Sequence, residues 1–328
     1  MKKFILKFLS NRVAFLMALL IVVVVVMSNI SPYFFVWDNL MTMTRFGAAL
    51  ALVGLGQSLV ILAGGAGIDL SVGGMISLAG VFFGLMVGAG INVWVAAVLA
   101  VLSGGILGAV NGLTIAILGL PPLIGTLGTT YIYSALALVI TKGIPISGIP
   151  KEFSFIANGE VLGLPTQIIL IVLPVYILFL FLSQKTQFGR RIYLVGVNSV
   201  AAQFSGIQVK KVRFSLYVIS GLLAGLASII LASWFMAARP DVGDGMDMQA
   251  ITVAVLGGID ITGGVGNVVG TLLAVCIVTM INSGLQLANI NTIWQLAILG
   301  IILLSAIAIN QAIEKQLIKR KKLIHRED

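Results

Sequence analysis

The sequence predicts an all-α, polytopic membrane protein of about ten transmembrane helices, with an internal repeat and broken helices. Three observations carry this. Of the 328 residues, 59% are hydrophobic and only 9% are charged, with a mean hydropathy of +1.13. A soluble domain carries about a quarter charged residues, so this chain has too little polar surface to cover a water-soluble globule. Apolar runs recur at lengths near the roughly 20 residues that cross a bilayer as a helix. Finally, there are 38 glycines, which let membrane helices approach closely, and clusters of them interrupt two of the apolar runs.

The first run, "VAFLMALLIVVVVVM", follows a basic start and has the look of a signal peptide. The residues after it, "SNISPYFF", contain no A-x-A-like cleavage site and further spans follow, so it reads as an uncleaved anchor. Further spans fall at about 44–63, 70–89, 92–118, 122–141 and 167–184, then at about 214–236, 248–259, 265–285 and 292–309, the 248–259 piece being short for a crossing. The chain forms one transmembrane domain over 1–328, with a short start at 1–12, a central loop at 185–213 and a tail at 310–328.

The net charge of +9 is distributed in three clusters. Lys2, Lys3, Lys7 and Arg12 precede the first run. Lys185, Arg190, Arg191, Lys210, Lys211 and Arg213 share the central loop, and Lys315, Lys319, Arg320, Lys321, Lys322 and Arg326 form the tail. Clusters beside membrane spans mark the inner side. Six spans before the loop and four after it place both termini and the loop together in the cytoplasm. No aromatic-rich or folded basic module accompanies them, which argues against a nucleic-acid partner. The segments "KGIPISGIPKEFSFIANGEVLGLP" and "RPDVGDGMD" then face outward; the second carries Asp241, Asp244 and Asp247 and reads as a solvated loop or a docking surface for an outer partner.

The only cysteine, Cys276, lies in an apolar run, and the only histidine, His325, lies in the charged tail. A disulfide framework, a cysteine or histidine metal site and a serine–histidine–aspartate triad therefore have no residues to build them in the hydrophobic body. The chain has no G-x-x-x-x-G-K-[ST] phosphate loop, H-E-x-x-H or G-x-S-x-G, so it carries no nucleotide-binding or hydrolase signature. No cofactor or metal is expected on it, and any ATP and magnesium belong to another subunit.

The stretch "LAGGAGIDLSVGG", residues 62–74, interrupts an apolar run. Backbone leaves helical geometry inside a membrane only where protein or a water-filled cavity satisfies its polar groups. Gly64, Gly65 and Gly67 make a break easy, and Asp69 or Ser71 suits a cap for the helix that follows. The stretch has an echo: "QSLVILAGGAGIDLSVGG" begins at Gln57 and "QAITVAVLGGIDITGGVG" at Gln249, so Asp69 matches Asp260 and Ser71 matches Thr262. Paired glycine-interrupted segments point to the translocation path of a transporter. The first segment is one residue longer than its echo. The hydropathy count implies a same-direction repeat; an inverted one requires a re-entrant segment.

The translocation-path candidates are Gln57, Asp69, Ser71, Asn111, Thr126, Gln249, Asp260 and Thr262. Each has a plainer reading beside it. Asp69 and Asp260 fit a helix cap at a membrane edge, because intramembrane carboxylates are costly. Asn111 fits an interhelical hydrogen bond, as do Gln57 and Gln249. Thr126, with Thr129 and Thr130, follows Pro121 and Pro122 and fits re-satisfaction of backbone near a kink. The glycine seams at 80/84/88, 104/108/112 and 221/225 fit close packing.

Within the central loop, "NSVAAQFSGI" predicts a short helix, capped by Asn198 or Ser199 and ended by Gly206. Asn198, Ala201, Ala202, Gln203, Ser205 and Gly206 are the candidates for contact with a cytoplasmic partner, and Ala202→Glu is expected to disturb that surface. The plainer reading is a surface helix held to lipid headgroups by its basic flanks.

The stretches "GIDLSVGG", "TQFGRRIYLVGVNSVAAQFSGI", "YVISGLLAGLASII" and "ITVAVLGGIDITGGVGNVVGTLLAV" resemble the permease subunits of bacterial sugar ABC importers, of ribose, xylose, rhamnose and autoinducer type, in matching order over nearly the whole chain. The resemblance implies a pore of two permease subunits, identical or homologous, two cytoplasmic ATPase subunits docked on the 198–206 helix, and a periplasmic solute-binding protein. It also implies the bacterial inner membrane and a fold similar to the vitamin-B12-type importer, with inverted repeats. "ARPDVGDGMDMQAIT" and "INSGLQLANI" lean towards the rhamnose or autoinducer-type members. The rival is a stand-alone ion-coupled transporter or channel using Asp69 and Asp260 as ion sites.

Overall fold

The computed structural model describes residues 12–291 and, beyond them, 294, 295, 297, 298, 300–302, 304, 305 and 308. The start up to residue 11, the tail at 310–328 and much of the predicted 292–309 span lie outside the described residues. The elements are α1 (Arg12–Ile30), α2 (Trp37–Leu62), α3 (Val72–Gly88), α4 (Val93–Gly112), α5 (Pro122–Thr141), α6 (Phe155–Asn158), α7 (Leu173–Lys185), α8 (Gln187–Val197), α9 (Ser199–Phe204), α10 (Val209–Phe235), α11 (Met246–Leu256) and α12 (Val268–Leu287). Wider π turns extend α4 at Leu113–Ile117 and precede α7 at Ile168–Val172. One short antiparallel ladder pairs Glu160 with Pro165.

Among the described residues, seven helices are long and apolar enough to cross a membrane. The predicted spans at about 70–89 and 248–259 are different: α3 has 17 residues and α11 has 11. Each follows an irregular connection from a long helix, of 26 residues in α2 and 27 in α10.

Local chemistry sets the boundaries. Asn92, Thr186, Asn198 and Asn267 cap α4, α8, α9 and α12 by accepting backbone N–H groups, which satisfies donors that have no partner in the first helical turn. Pro122 opens α5, where its missing N–H costs nothing.

The long helices α2 and α10 form the centre, and from Ala48 to Leu62 every residue of α2 is buried. Helices α1, α4, α5 and α7 surround them and expose Val25, Ile106, Val139 and Phe181. Where α4 crosses α10, Gly104 and Gly108 lie against the backbone of Gly221, and Gly225 lies against Val101. The glycine seams read from the sequence at 104/108 and 221/225 are thus one seam, packed backbone to backbone. Gly88 of the 80/84/88 series meets nothing.

Contacts also fix the direction of each helix. The long helices run antiparallel: Gly56 stands against Ser220 and Gly65 against Arg213. Each runs parallel to the short helix that follows the other. Gly54 of α2 meets Val253 of α11, and the Leu62 carbonyl accepts from Gly264 N–H at 2.9 Å. Likewise Gly80 and Gly84 of α3 meet Ser228 and Ala238, at the far end of α10. The starts of the two short helices meet, with Gly73 and Gly243 touching backbone to backbone. This is the arrangement of an inverted pair, α2–α3 with α10–α11. The sequence left a same-direction and an inverted repeat both open, and the structure has room for each between different elements. The echo matches α2 with α11, which are parallel neighbours, and the inverted relation joins α2 to α10.

Candidate functional site

The connection from Ala63 to Ser71 is where the chain departs furthest from regular geometry. Gly64, Gly65 and Ala66 take left-handed φ values of 66°, 68° and 54°. Glycine adopts these freely, whereas alanine pays about 1–2 kcal/mol. The backbone then returns alongside α2, and side chains take over the hydrogen bonds a helix would have made. The Gln57 amide donates to the Asp69 carbonyl at 3.0 Å and accepts from the Asp69 N–H at 3.2 Å. Thr126 Oγ1 lies 3.2 Å from the Ile68 carbonyl, and Thr130 Oγ1 lies 2.6 Å from that of Leu70. The irregular backbone is thereby satisfied by protein groups, as a membrane interior demands.

The Asp69 side chain organises the rest. One oxygen accepts from the Ser71 N–H at 3.0 Å and hydroxyl at 2.6 Å; the other accepts from Ser220 of α10 at 2.9 Å. Asn111 of α4 donates to the Ser71 hydroxyl at 2.6 Å. Tyr133 of α5 reaches both the Leu107 carbonyl, at 2.9 Å, and Asn111 Oδ1, at 3.3 Å. Gln57, Asp69, Ser71, Asn111 and Thr126 are wholly buried, so five of the eight predicted path residues meet in one closed network. Ser71 occupies the cap position of α3 but makes no side-chain capping bond; Asp69 instead fixes the turn that leads into the helix. Ser220 and Tyr133 are members that sequence reasoning missed.

The other three candidates sit apart. Asp260 accepts from the Thr262 N–H at 2.9 Å and hydroxyl at 2.8 Å, the same turn as Asp69–Ser71. It is half-buried, and Thr262 is exposed. The extra residue of the first segment is absorbed before the aspartate, where three left-handed residues stand in place of the single one at Gly258, with φ 92°. Gln249 lies on α11, its Oε1 buried with no hydrogen-bond partner among the described residues.

The two turns converge on α8. A Cβ on Gly64 would stand 2.8 Å from the Gly196 carbonyl and 3.2 Å from that of Thr262, and Gly196 itself lies against the Leu62 carbonyl and Gly264. Tyr193 donates to the Gly266 carbonyl at 3.0 Å. Helix α9 follows directly, with Asn198 accepting from Ala201 N–H at 2.9 Å. Ala201, Gln203, Ser205 and Gly206 are exposed, but Ala202 is 5% exposed and faces the chain. The expectation that Ala202 forms part of an outer docking face is corrected: one turn of helix points it inward, and Val197, Val200 and Phe204, the last 89% exposed, form the outer face instead.

At the opposite end, Arg239 pairs with Asp241 through two bonds of 3.2 and 3.1 Å and holds that carboxyl below its usual range. Asp244 is pushed up by partial burial and by its neighbours Asp241 and Asp247. Ile146 and Ala238 bridge this loop to the one after α5.

A multi-pass membrane protein with two interrupted segments, an inverted pair of helices and a short helix packed against both interruptions has the parts of a transport subunit. Comparison with known proteins agrees. The family model described as branched-chain amino acid transport system / permease component matches residues 39–307. The ribose import permease RbsC of Bacillus subtilis is 37% identical over 294 residues, covering 89% of this chain and 90% of that protein. The D-allose transport system permease AlsC of Escherichia coli is 34% identical over 299 residues, covering 90% and 91%. The autoinducer 2 import system permease LsrD of Photorhabdus laumondii is 35% identical over 299 residues, covering 89% of each. No solved structure matches the chain significantly. The chain belongs to the branched-chain amino acid transport system / permease component family and is a membrane permease subunit.

Proposed function

We propose that the chain is the membrane-spanning subunit of an ATP-driven, binding-protein-dependent importer of a monosaccharide or sugar-like solute in the bacterial inner membrane. Its relatives are named for ribose, D-allose and autoinducer 2, which supports a small polyhydroxylated substrate. In this reading the fold is of the vitamin-B12-importer type, with ten helices when the 292–309 span is counted, and both termini face the cytoplasm. A second permease subunit, identical or homologous, completes the pore, a periplasmic binding protein docks on the Arg239–Asp247 side, and ATP and magnesium bind the partner ATPase.

The observation that carries the reading is the junction at Gly196. Helix α9 presents Val200 and Phe204 outward, and the helix before it is wedged against both interrupted segments. An ATPase seated on α9 can therefore push on the two turns through backbone contact with no flexible side chain between. Outward and inward states alternate as α9 is displaced, and the inverted pair supplies the two opposed halves that such an exchange requires. The buried Asp69 network then acts as the rigid part that carries the displacement.

Purification from native membranes in a mild detergent, with mass identification of retained proteins, tests this. A cytoplasmic ATPase retained by the native chain and lost on Phe204→Asp supports the reading. A chain that is stable, alone in every mild detergent and able to accumulate solute on an ion gradient overturns it in favour of a stand-alone transporter.

A further inference from the structure

Beside the first interrupted segment lies a cavity of 840 Å³, bounded by the turn at Gly64–Gly67, the Pro121–Pro122 turn, α9 and the start of α10. Its volume is in the range of small-molecule sites, roughly 300–1,000 Å³. Lys210, Lys211 and Arg213 line it, and no acidic residue does. The Arg213 guanidinium is seated over the bare Cα of Gly65, and its Nε–H is buried with no hydrogen-bond partner among the described residues. One turn further into the cavity wall, the hydroxyl of Tyr217 is also buried and unpartnered, in a residue only 2% exposed. Neither donor belongs to the Asp69 network.

Unmade hydrogen bonds of buried donors are costly, and the cavity carries three cationic side chains with no acidic one in its lining. A single occupant answers both features: an anion with several acceptor oxygens. A guanidinium fork matches phosphate oxygens in two parallel bonds, and a phenol adds a third. We propose that this cavity binds a phosphate-bearing organic anion, with Arg213 and Tyr217 holding the phosphate and Gln203 of α9 facing the remainder. The phosphate belongs either to a soluble sugar phosphate or to the headgroup of an anionic lipid. Because the cavity lies between α9 and the first interrupted segment, an occupant ties the two together. If the proposed function holds, the site opens to the cytoplasm, and a phosphorylated form of the imported sugar bound there holds α9 against the turn and slows import.

The test uses the full chain in phosphatidylcholine nanodiscs and measures binding of ribose 5-phosphate, with ribose as the control. The expected result is binding of ribose 5-phosphate but not ribose, weakened about tenfold or more by Arg213→Gln. Tyr217→Phe, which keeps the ring and its packing, is expected to weaken binding by a smaller factor with no loss of folded protein. In a second arm, phosphatidylglycerol replaces part of the phosphatidylcholine. Arg213-dependent thermal stabilisation by that lipid, with no binding of ribose 5-phosphate, assigns the phosphate to a lipid. No Arg213- or Tyr217-dependent effect of either probe overturns the proposal. The assay reads binding by this chain alone, so its failure leaves ATP-driven import standing, and a failure of import leaves the site standing.

Discussion

The carboxylate of Asp69 accepts a 2.9 Å hydrogen bond from Ser220, 151 residues further along the chain. It joins the turn after α2 to the middle of α10, the two long helices of the inverted pair. A hydrogen bond contributes about 0.5–1.5 kcal/mol net, and a donor left buried without its acceptor costs about 1–3 kcal/mol. Asp69→Leu removes the acceptor from Ser71 and Ser220 together and leaves both buried. The expected loss is about 3 kcal/mol or more of stability, seen as a clear fall in melting temperature in nanodiscs. Asp69→Asn keeps the volume and one acceptor and falls less. Equal melting of Asp69→Leu and the native chain would contradict the staple.

Gly196 has no room for a side chain, since its Cα faces the Leu62 carbonyl and the backbone of Gly264. Gly196→Ala is expected to separate α8 from the two turns while leaving the outer face of α9 unchanged. ATPase retention should persist and ATP-driven uptake should drop at least severalfold. Loss of retention together with uptake would mean that Gly196 serves only to fold the loop.

Two substitutions on α9 should part company. Phe204→Asp removes an exposed apolar contact, so it should abolish ATPase retention with little change in melting temperature. Ala202→Glu buries a carboxylate without a partner, which is costly, so it should lower the melting temperature first. Both are read by pairing a melting curve with co-purification.

Ala66 is the non-glycine member of a left-handed run, with φ 54°. Ala66→Gly removes a penalty of about 1 kcal/mol against a smaller gain in unfolded-state entropy, so a slightly more stable protein is expected. A fall in melting temperature would show that the methyl group packs more favourably than its backbone costs.

The apolar spans were legible because each needs a run near bilayer length, and the first interruption was legible because Gly64, Gly65 and Gly67 stand where such a run should continue. The inverted pair was not legible. The echo from Gln57 to Ser71 and from Gln249 to Thr262 marks a turn that any interrupted helix can use, whichever way it runs, since the bonds that Asp69 and Asp260 share are those to the residue two positions on. The inverted relation rests on contacts such as Gly73 with Gly243, which share no residue pattern. Ser220 and Tyr133 were missed because single polar residues in apolar helices carry no spacing that names their partner. The inward face of Ala202 was missed because a helix of six residues is too short for periodicity to separate its faces.

The most direct test of the account is solute uptake into proteoliposomes holding the chain with its co-purified ATPase, with and without binding protein. The account predicts accumulation that requires ATP and the binding protein, survives collapse of all ion gradients and is lost on Phe204→Asp. Accumulation by the chain alone, driven by an ion gradient and indifferent to ATP, would contradict it.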